Sequence, residues 1–453
     1  MPIRLKDVPR QVPVGLGILA NILRNAGHEV RMLDLNALRL SKPELEKRLA
    51  ELGDSAFIGI SGMISTYKFQ KDLINRIKEL YPKTLVISGG SAATSVPELL
   101  LSKTKLDVAA IGEGEKTILE IAEHVAGKRD LKDVKGIMYR KGKKFVKNPP
   151  QEWAKLDELP WPAYDLMELD IYFKHHNVIN EGLLKKRARA YKSMNIISTR
   201  GCPFNCGFCY HLFGRGRIRY RDPKDVAAEV KFLKDTYGVD FIDIIDDNTT
   251  VNKKFLEELS GLLKELDVHW ACASRVSSLD EKTVKLLVES NCKLVGVGIE
   301  SGSPRILKNM NKQSTTALGY RAVKLCRKYG LSISPTFIFG YSGENFSSML
   351  ETATFMGKAG IINQFFTITA YPGTPLFEDH LADMRNDLDK YDTYVEQLDD
   401  ARYLLHNFTE WDDKTFHRMK DLQFKMVLAA NVLFSPILSA KVIGRKILRS
   451  ISS

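Results

Sequence analysis

The first 201 residues of this 453-residue chain contain no cysteine. All six cysteines lie at or after position 202, and three of them fall between Cys202 and Cys209. This distribution is unlike a disulfide framework and is typical of a metal cluster in a reducing compartment. The cysteine pattern therefore predicts a cytoplasmic protein.

Long apolar runs are also missing. The uncharged run from Met426 to Ala440 is shorter than the roughly 20 residues that a spanning helix needs, and it contains a proline and an asparagine. The run from Val12 to Leu23 is apolar enough for a signal-peptide core, but Asn21 interrupts it and no clean cleavage site follows. The sequence predicts neither a transmembrane helix nor secretion.

The composition is that of an ordinary folded protein, with 44% apolar and 27% charged residues. Its length suits about three domains of roughly 150 residues, or two larger ones. Lys and Arg outnumber Asp and Glu by 67 to 55, which gives a net charge of +12. This excess favours an anionic partner and leaves nucleic acid, a membrane surface and an anionic small molecule as alternatives.

Short runs rich in Val and Ile alternate with amphipathic segments from residue 14 to about 125. The alternation predicts an α/β domain with a doubly wound parallel sheet, which binds its ligand at the carboxyl ends of the strands. The predicted strands cover 28–34, 56–61, 84–88 and 107–111, and the predicted helices cover 14–26, 42–52, 66–80, a short stretch near 97, and 115–125.

Small residues follow several of these strands. Glycine lets a backbone approach a ligand closely, and no G-x-G-x-x-G fingerprint favours a dinucleotide. Tight strand-to-helix turns are the alternative interpretation. The candidate ligand-binding residues are Ser61, Gly62, Ser88, Gly89, Gly90, Gly112 and Glu113.

A second α/β unit follows a predicted hairpin and a proline-rich connector. Six further strands are predicted near 194–199, 240–245, 268–274, 294–300, 333–339 and 364–370. Six units are too few for an eightfold barrel but suffice for a partial (β/α)6 barrel with its chemistry at the strand ends. The predicted domains are 1–130, a hairpin and connector over 131–192, the partial barrel over 193–380, and a helical tail over 381–453.

The motif C-x3-C-x2-C, formed by Cys202, Cys206 and Cys209, follows the first barrel strand directly. Three thiolates can ligate three irons of a cubane cluster and leave the fourth iron without a protein ligand. Such an open iron can bind a small molecule, which favours catalysis over simple electron carriage.

Two alternatives stay open for these thiols: a zinc site and three unrelated buried thiols. Zinc requires a fourth ligand, and His211 is the only nearby candidate. The remaining cysteines lie within predicted strands or helices, where they are expected to act as small buried hydrophobic residues. They are Cys272, Cys292 and Cys326.

The motif and its place after the first barrel strand resemble the radical S-adenosylmethionine (SAM) superfamily. Four further segments carry the resemblance: 244–248, 298–303, 337–340 and 371–376. The resemblance implies a 4Fe-4S cluster that cleaves SAM reductively to a 5′-deoxyadenosyl radical, with flavodoxin or ferredoxin as electron donor. The residues that it assigns to SAM binding are Phe208, Asp246, Asp247, Arg275, Glu300, Ile338 and Gly340.

The N-terminal region resembles the cobalamin-binding domain of one branch of that superfamily. The similar stretches are 13–30, 59–62, 88–90 and 112–115, and the candidate ligand-binding residues above are thereby assigned to cobalamin. No D-x-H-x-x-G triplet occurs, so the implied cobalamin has no lower histidine ligand. The strand that should precede Pro13 is nearly missing.

Together the two resemblances imply cobalamin-dependent C-methylation of an unactivated carbon in a small-molecule or lipid substrate. One alternative is a cobalamin-dependent ring cyclase or oxidoreductase that acts on a tetrapyrrole or lipid. Another is a cobalamin-binding sensor or iron-sulfur scaffold without activity. A tRNA methylthiotransferase would carry three more cluster cysteines before Cys202, so no nucleic-acid partner is expected.

Two basic segments lie outside these motifs. Arg215, Arg217, Arg219 and Arg221 alternate with other residues, so an extended backbone places them on one face, as an anion site or as a solvated edge. The amphipathic segment 433–449 carries Lys and Arg beside its apolar positions. It suits either a membrane interface, which would make the protein peripheral to the membrane, or packing against the barrel.

Overall fold

The computed structural model describes residues 11–53, 55–174, 191–398 and 404–436. Its N-terminal sheet has the strand order β1-β2-β3-β4-β5. The first three strands are parallel, whereas β4 and β5 are antiparallel. The strands are β1 (Phe57–Ser61), β2 (Leu85–Gly89), β3 (Val108–Ala110), β4 (Ile137–Lys141) and β5 (Lys144–Lys147).

Helices flank this sheet as the alternation predicts. They are Val14–Asn25, Leu35–Leu38, Lys42–Ala50, Tyr67–Leu80, Gly90–Ser95, Pro97–Lys103 and Glu115–Val125. The doubly wound α/β prediction is confirmed. Strands β4 and β5 form the predicted hairpin, but they extend the N-terminal sheet, so this unit continues beyond residue 130 into the stretch predicted as connector.

The predicted strand over 28–34 is wrong. This segment has no regular secondary structure, and β1 forms the edge of the sheet. Side-chain contacts replace strand pairing here. The carboxylate of Asp34 accepts hydrogen bonds from the amides of Asn36 and Ala37, both at 3.0 Å, and from the hydroxyl of Tyr172 at 2.7 Å. Asp34 thus caps the next helix and ties the segment to the connector.

The second sheet has the order β13-β12-β11-β10-β9-β6, and every pairing in it is parallel. Its terminal strands do not pair, so the sheet is an open partial barrel, as predicted. The strands are β6 (Ser193–Ile196), β9 (Phe241–Ile244), β10 (His269–Arg275), β11 (Cys292–Glu300), β12 (Ser332–Phe339) and β13 (Phe366–Thr367).

The barrel helices begin at residues whose side chains accept a hydrogen bond from the helix backbone. These N-cap residues are Asp222, Asn252, Asp280, Thr315 and Asn345. The helices that follow them are Pro223–Tyr237, Lys253–Glu265, Glu281–Glu289, Thr316–Lys328 and Phe346–Lys358.

A two-stranded hairpin, β7 (Thr199–Cys202) and β8 (Arg217–Tyr220), stands outside the barrel sheet. The sequence predicts extended backbone for the arginine-rich segment but does not predict its partner. Because β7 ends at Cys202, the hairpin supports the start of the cysteine motif.

The tail is helical in its described part. The remaining helices are Leu169–Lys174, Pro304–Asn309, Pro375–His380, Leu388–Glu396 and Asp413–Phe434. The last of these packs on Phe346–Lys358, where buried Gln423 and Asn431 donate to the carbonyls of Met349 and Ile361 at 3.0 and 2.8 Å. Each helix in the described ranges is either too short or too polar to span a bilayer. Residues 437–449 of the basic segment lie outside those ranges.

Two buried hydrophobic clusters cross the domain boundaries. Val14 and Ile18 of the first helix belong to the same cluster as the barrel residues Ile196 and Ile244. A second cluster joins residues of the N-terminal helices to Phe377 and residues of Leu388–Glu396. The N-terminal unit, the barrel and part of the tail therefore pack against one another.

Candidate functional site

The cluster loop, defined as residues 202–209, follows the hairpin strand β7. Cys206 is buried, and Cys202 and Cys209 are half-buried. Gly201 enters the loop with φ +92°, where a Cβ would lie 2.4 Å from the carbonyl oxygen of Arg217. Only glycine fits this combination of a left-handed backbone and a close approach across the hairpin.

Backbone hydrogen bonds hold the cluster loop from two sides. The amide of Gly207 donates to the carbonyl of Met310 at 2.8 Å, and the amide of Leu376 donates to the carbonyl of Gly207 at 2.9 Å. The side-chain amide of Asn311 donates to the carbonyl of Asn205 at 2.8 Å. The loop is therefore positioned by segments that follow the fourth and sixth barrel strands.

Two buried cations lie against the cluster loop. Arg275 donates from Nη1 to the Cys206 sulfur at 3.3 Å and stacks 3.7 Å from the centre of the Phe204 ring. The ammonium of Lys312 lies 5.7 Å from the centre of the Phe208 ring. Cations at this position stabilise thiolates and an anionic cluster, so the surroundings of the three thiols fit the cluster that the motif implies.

Burial disfavours the ionisation of two thiols of the cluster loop, Cys202 and Cys209. It raises the pKa of Cys209 to about 12, and the charge of Cys206 adds to the effect. Burial also raises the pKa of Cys202. Iron binding must therefore release protons from thiols that are otherwise neutral.

The zinc alternative gains no geometric support. Within the described ranges, no three His, Cys, Asp or Glu side chains are grouped so that they could hold a single metal ion. A cubane does not require such convergence, because each thiolate binds a different iron.

Glu300 lies at a bulge where β11 shifts register against β12. Its φ is +69°, an unusual value for a residue with a side chain. Lys312 donates to its carboxylate at 2.8 Å, and both side chains are buried. A Cβ on Gly298 would lie 2.2 Å from this carboxylate, so glycine makes room for the ion pair. Such backbone strain is common at functional sites.

The two adjacent aspartates have different surroundings. Asp246 is buried and accepts hydrogen bonds from the amides of Ser198 and Thr199 at 2.8 and 2.9 Å. Burial raises the pKa of Asp246 to about 6, although these hydrogen bonds oppose the shift. Asp247 is exposed and lies close enough to Cys202 to affect the pKa of that thiol. The structure thus gives Asp246 a supporting role, whereas Asp247 lies beside the cluster loop and accepts a hydrogen bond from the Gly201 amide.

Gly340 directly follows the fifth barrel strand and has φ +92°. A Cβ there would lie 2.5 Å from Phe416, and its amide donates to the Glu344 carboxylate at 2.6 Å. The neighbouring predicted SAM residue, Ile338, is half-buried, as is Phe208. Glu344 is buried, and its carboxylate supports the backbone of this turn.

The N-terminal strand ends contain a close backbone contact. Gly90 has φ +82°, and a Cβ on it would lie 2.8 Å from the carbonyl of Gly62 and 3.0 Å from the hydroxyl of Ser61. The hydroxyl of Ser88 is buried and has no hydrogen-bond partner in the structure as described. A Cβ at Gly89 would meet nothing within 4 Å. An unpaired hydroxyl beside open backbone fits a ligand at this edge.

The two residues after the third strand have different surroundings. Gly112 has φ +84°, and a Cβ there would meet nothing within 4 Å. Glu113, in contrast, is buried and bound by Arg200 at 2.9 Å and by Arg219. Its Oε2 accepts from Arg219 Nη1 at 3.1 Å and from the amide of Ala154 at 3.0 Å. Intramolecular contacts thus occupy the Glu113 side chain, which sequence reasoning assigned to cobalamin.

Most of the four alternating arginines, Arg215, Arg217, Arg219 and Arg221, are paired within the protein. Arg219 binds Glu113, and Arg221 binds Asp225 and Glu229. Arg215 donates to the carbonyl of Gly373 at 2.9 Å, and Arg217 is exposed. The segment is therefore neither a free anion site nor a simple solvated edge.

The cysteines outside the motif are buried, as predicted. Cys272 and Cys292 lie on adjacent strands, and Cys326 lies on the helix Thr316–Lys328. Sequence reasoning missed Phe204, Lys312 and Arg200 at the site. Phe204 could have been found from its place inside the motif, but no local pattern marks Lys312 or Arg200.

Comparisons with known families support two assignments. The model described as Radical SAM superfamily matches residues 196–356. The model described as B12 binding domain matches residues 5–122.

The chain is also similar to individual proteins. An uncharacterized methyltransferase of Pyrococcus horikoshii is 33% identical over 81% of this chain and 78% of that protein. The cytidylyl-2-hydroxyethylphosphonate methyltransferase of Streptomyces wedmorensis is 29% identical over 82% of this chain and 78% of that protein.

A solved structure shares the fold. The radical S-adenosylmethionine methyltransferase TsrM from Kitasatospora setae, with cobalamin and a 4Fe-4S cluster bound, aligns with a TM-score of 0.67. The alignment covers 82% of this chain and 72% of that chain at 19% identity.

Proposed function

We propose that this chain, which belongs to the radical SAM superfamily and carries an N-terminal B12-binding domain, is a cobalamin-dependent methyltransferase. The proposed substrate is a small molecule or lipid with an unactivated carbon as methyl acceptor. The similarity to two methyltransferases over most of their length supports this reaction class.

One observation carries the proposal. Arg200, two residues before Cys202, is paired at 2.9 Å with Glu113, which follows the third strand of the N-terminal sheet. The cluster loop and the carboxyl ends of the N-terminal strands are therefore next to each other. Ligands of parallel α/β sheets bind at the carboxyl ends of the strands. A cofactor at the cluster loop and a cofactor at the carboxyl ends of the N-terminal strands would therefore lie next to each other.

When bound, the cluster and SAM supply a 5′-deoxyadenosyl radical, and cobalamin supplies a transferable methyl group. The chain itself contributes binding, charge and exclusion of water. The three thiolates hold the cluster, and Arg275 donates to one of them. The rings of Phe204 and Phe208 cover the two cations on the loop side. The exposed carboxylate of Asp247, close to Cys202, would accept a hydrogen bond from the amino group of SAM.

The N-terminal edge would hold cobalamin mainly through backbone. Gly89 and Gly112 leave space for close approach, and the Ser88 hydroxyl is available as a hydrogen-bond donor or acceptor. An electron donor such as flavodoxin or ferredoxin completes the proposal, since SAM cleavage consumes one electron. The net charge of +12 suits an anionic carrier.

The test is anaerobic reconstitution with iron, sulfide and cobalamin, followed by mass analysis of the SAM products with and without cell extract. Methylation predicts S-adenosylhomocysteine beside 5′-deoxyadenosine. Extract-dependent 5′-deoxyadenosine without S-adenosylhomocysteine would instead indicate a cyclase or oxidoreductase. A protein that binds iron yet forms neither product would be a scaffold.

A matched pair of cysteine variants tests the cluster. Replacement of Cys202, Cys206 and Cys209 by alanine should abolish iron binding and both products. The control Cys326→Ala removes a buried thiol from a barrel helix and should retain its iron. Iron retention in the triple variant would refute the proposed ligand set.

A further inference from the structure

Four charged side chains meet where the N-terminal unit contacts the β7–β8 hairpin, which we call the cluster hairpin. We call Arg200, Arg219, Glu113 and Glu115 the interdomain quartet. Arg200 and Arg219 lie directly opposite each other on β7 and β8. Like charges in this position oppose strand pairing, and burial of Arg200 strengthens the repulsion.

The two glutamates come from the other domain and balance this charge. Glu113 accepts from Arg200 Nη1 at 2.9 Å and from Arg219 Nη1 at 3.1 Å, so one carboxylate bridges both strands. Glu115 pairs with Arg200 Nη2 at 2.7 Å. Burial opposes ionisation of Glu113, but its bonds to Arg219 and Arg200 outweigh this and lower its pKa.

The quartet lies between the two proposed cofactor edges. Strand β7 ends at Cys202, the first residue of the cluster loop. Glu113 follows Gly112 at the carboxyl end of β3. The side chains of Arg200, Glu113 and Glu115 are each less than one-tenth exposed, so water screens their interaction little.

We propose that Glu113 is a positioning residue that joins the cluster hairpin to the N-terminal strand ends and thereby sets the separation of the two proposed cofactors. This inference rests on the proposed function for its catalytic meaning. The coupling between Glu113 and the hairpin rests on the ion pairs alone.

Hydrogen exchange of the purified protein tests that coupling without any cofactor assay. In Glu113→Gln, two arginines face each other with one carboxylate left, so the amides of 199–202 and 217–220 should exchange about tenfold faster. The double variant Glu113→Gln/Arg219→Gln removes the repulsion and leaves Arg200 paired with Glu115. It should return within about twofold of the wild-type rates.

The matched control is Asp389→Asn. Asp389, on the tail helix Leu388–Glu396, is exposed and pairs with Lys103 of the N-terminal unit, so this ion pair also joins two units but does not involve the hairpin. In this variant the hairpin amides should exchange hydrogen at the wild-type rate. Unchanged protection in Glu113→Gln, or a double variant no better than the single one, would overturn the proposal. If Glu113→Gln does not fold, the double variant decides the question. A folded double variant would support the proposal, and an unfolded one would overturn it.

A spectroscopic distance tests the positioning role. Pulsed EPR of the protein reconstituted with reduced cluster and cob(II)alamin measures their separation. The wild type and Asp389→Asn should give one narrow distribution, and Glu113→Gln a longer or broader one. Identical distributions would contradict the role. A wild type that binds no cobalamin would refute the proposed function, whereas the exchange data would still decide the link between Glu113 and the hairpin.

Discussion

At the scale of single residues, buried carboxyl groups carry the sharpest consequences. Glu300, Asp246 and Glu344 are all buried near the strand ends of the barrel, but each has a different partner. Lys312 neutralises Glu300, two backbone amides bind Asp246, and the amide of Gly340 binds Glu344. These partners determine which carboxyl groups are left to interact with a ligand.

Glu344 predicts a pH-dependent stability. Burial raises the pKa of Glu344 to about 7 from an unfolded value of 4.5, so its protonated form favours the folded state. That contribution is complete below the unfolded pKa and is lost as pH rises through the folded pKa. The free energy of unfolding should therefore fall between about pH 4.5 and 7, by at most about 3 kcal/mol.

The variant Glu344→Gln keeps an acceptor for the Gly340 amide but does not ionise. It should match the wild type near pH 4.5 and exceed its stability above pH 7. Urea titrations at several pH values provide the measurement. Glu351→Gln, on the exposed surface of the next helix, is the control and should follow the wild-type curve. Parallel curves for Glu344→Gln and the wild type would show that Glu344 does not titrate as expected.

At the scale of elements, the β7–β8 hairpin is the support of the cluster loop. Its two strands approach so closely at Gly201 that no side chain fits. The hairpin also carries the two arginines that bind the N-terminal unit. This hairpin therefore has two roles: its backbone geometry positions the start of the cluster loop, and its arginines bind the N-terminal unit.

Two glycine variants separate the strain of a positive φ from the steric overlap inside the hairpin. Gly201→Ala adds both positive-φ strain and an overlap with the Arg217 carbonyl, whereas Gly238→Ala, at φ +68° after a helix, adds the strain with nothing within 4 Å. We expect Gly238→Ala to cost about 1 kcal/mol of unfolding free energy and to keep its iron. Gly201→Ala should cost more and lose most of its iron. Equal iron contents would show that the hairpin geometry does not control the cluster loop.

At the scale of the whole molecule, the domains share their hydrophobic cores. The first helix packs into the barrel cluster, and the helix Leu388–Glu396 returns from the tail to the N-terminal unit. There, Lys71 binds Asp392 and Glu396 at 2.5 and 2.9 Å. A domain that shares its core with its neighbour does not behave as an independent folding unit.

The molecule should therefore unfold in one cooperative transition. Differential scanning calorimetry of the full chain should show one peak, and the fragment 1–150 should not give a cooperative transition of its own. The fragment would expose Val14, Ile18 and Ile22, which are buried in the full structure. Two separate peaks, or a stably folded fragment, would contradict the shared core.

Local sequence patterns were enough to predict the features that depend on neighbouring residues. The alternation of apolar runs and amphipathic segments sufficed for the α/β class and the six-strand partial barrel, because strands and helices follow local periodicity. The spacing of Cys202, Cys206 and Cys209 sufficed for the cluster prediction, because all three ligands lie on one short loop.

Contacts between distant segments became visible with the folded structure. Glu113 and Arg200 are 87 residues apart in the chain, and no local pattern predicts their ion pair. The same reason explains why the amides of Ser198 and Thr199 bind Asp246, why Lys312 enters the site, and why 28–34 forms no strand. Pairing over such distances depends on the packing of whole elements, which is not encoded in a single window of residues.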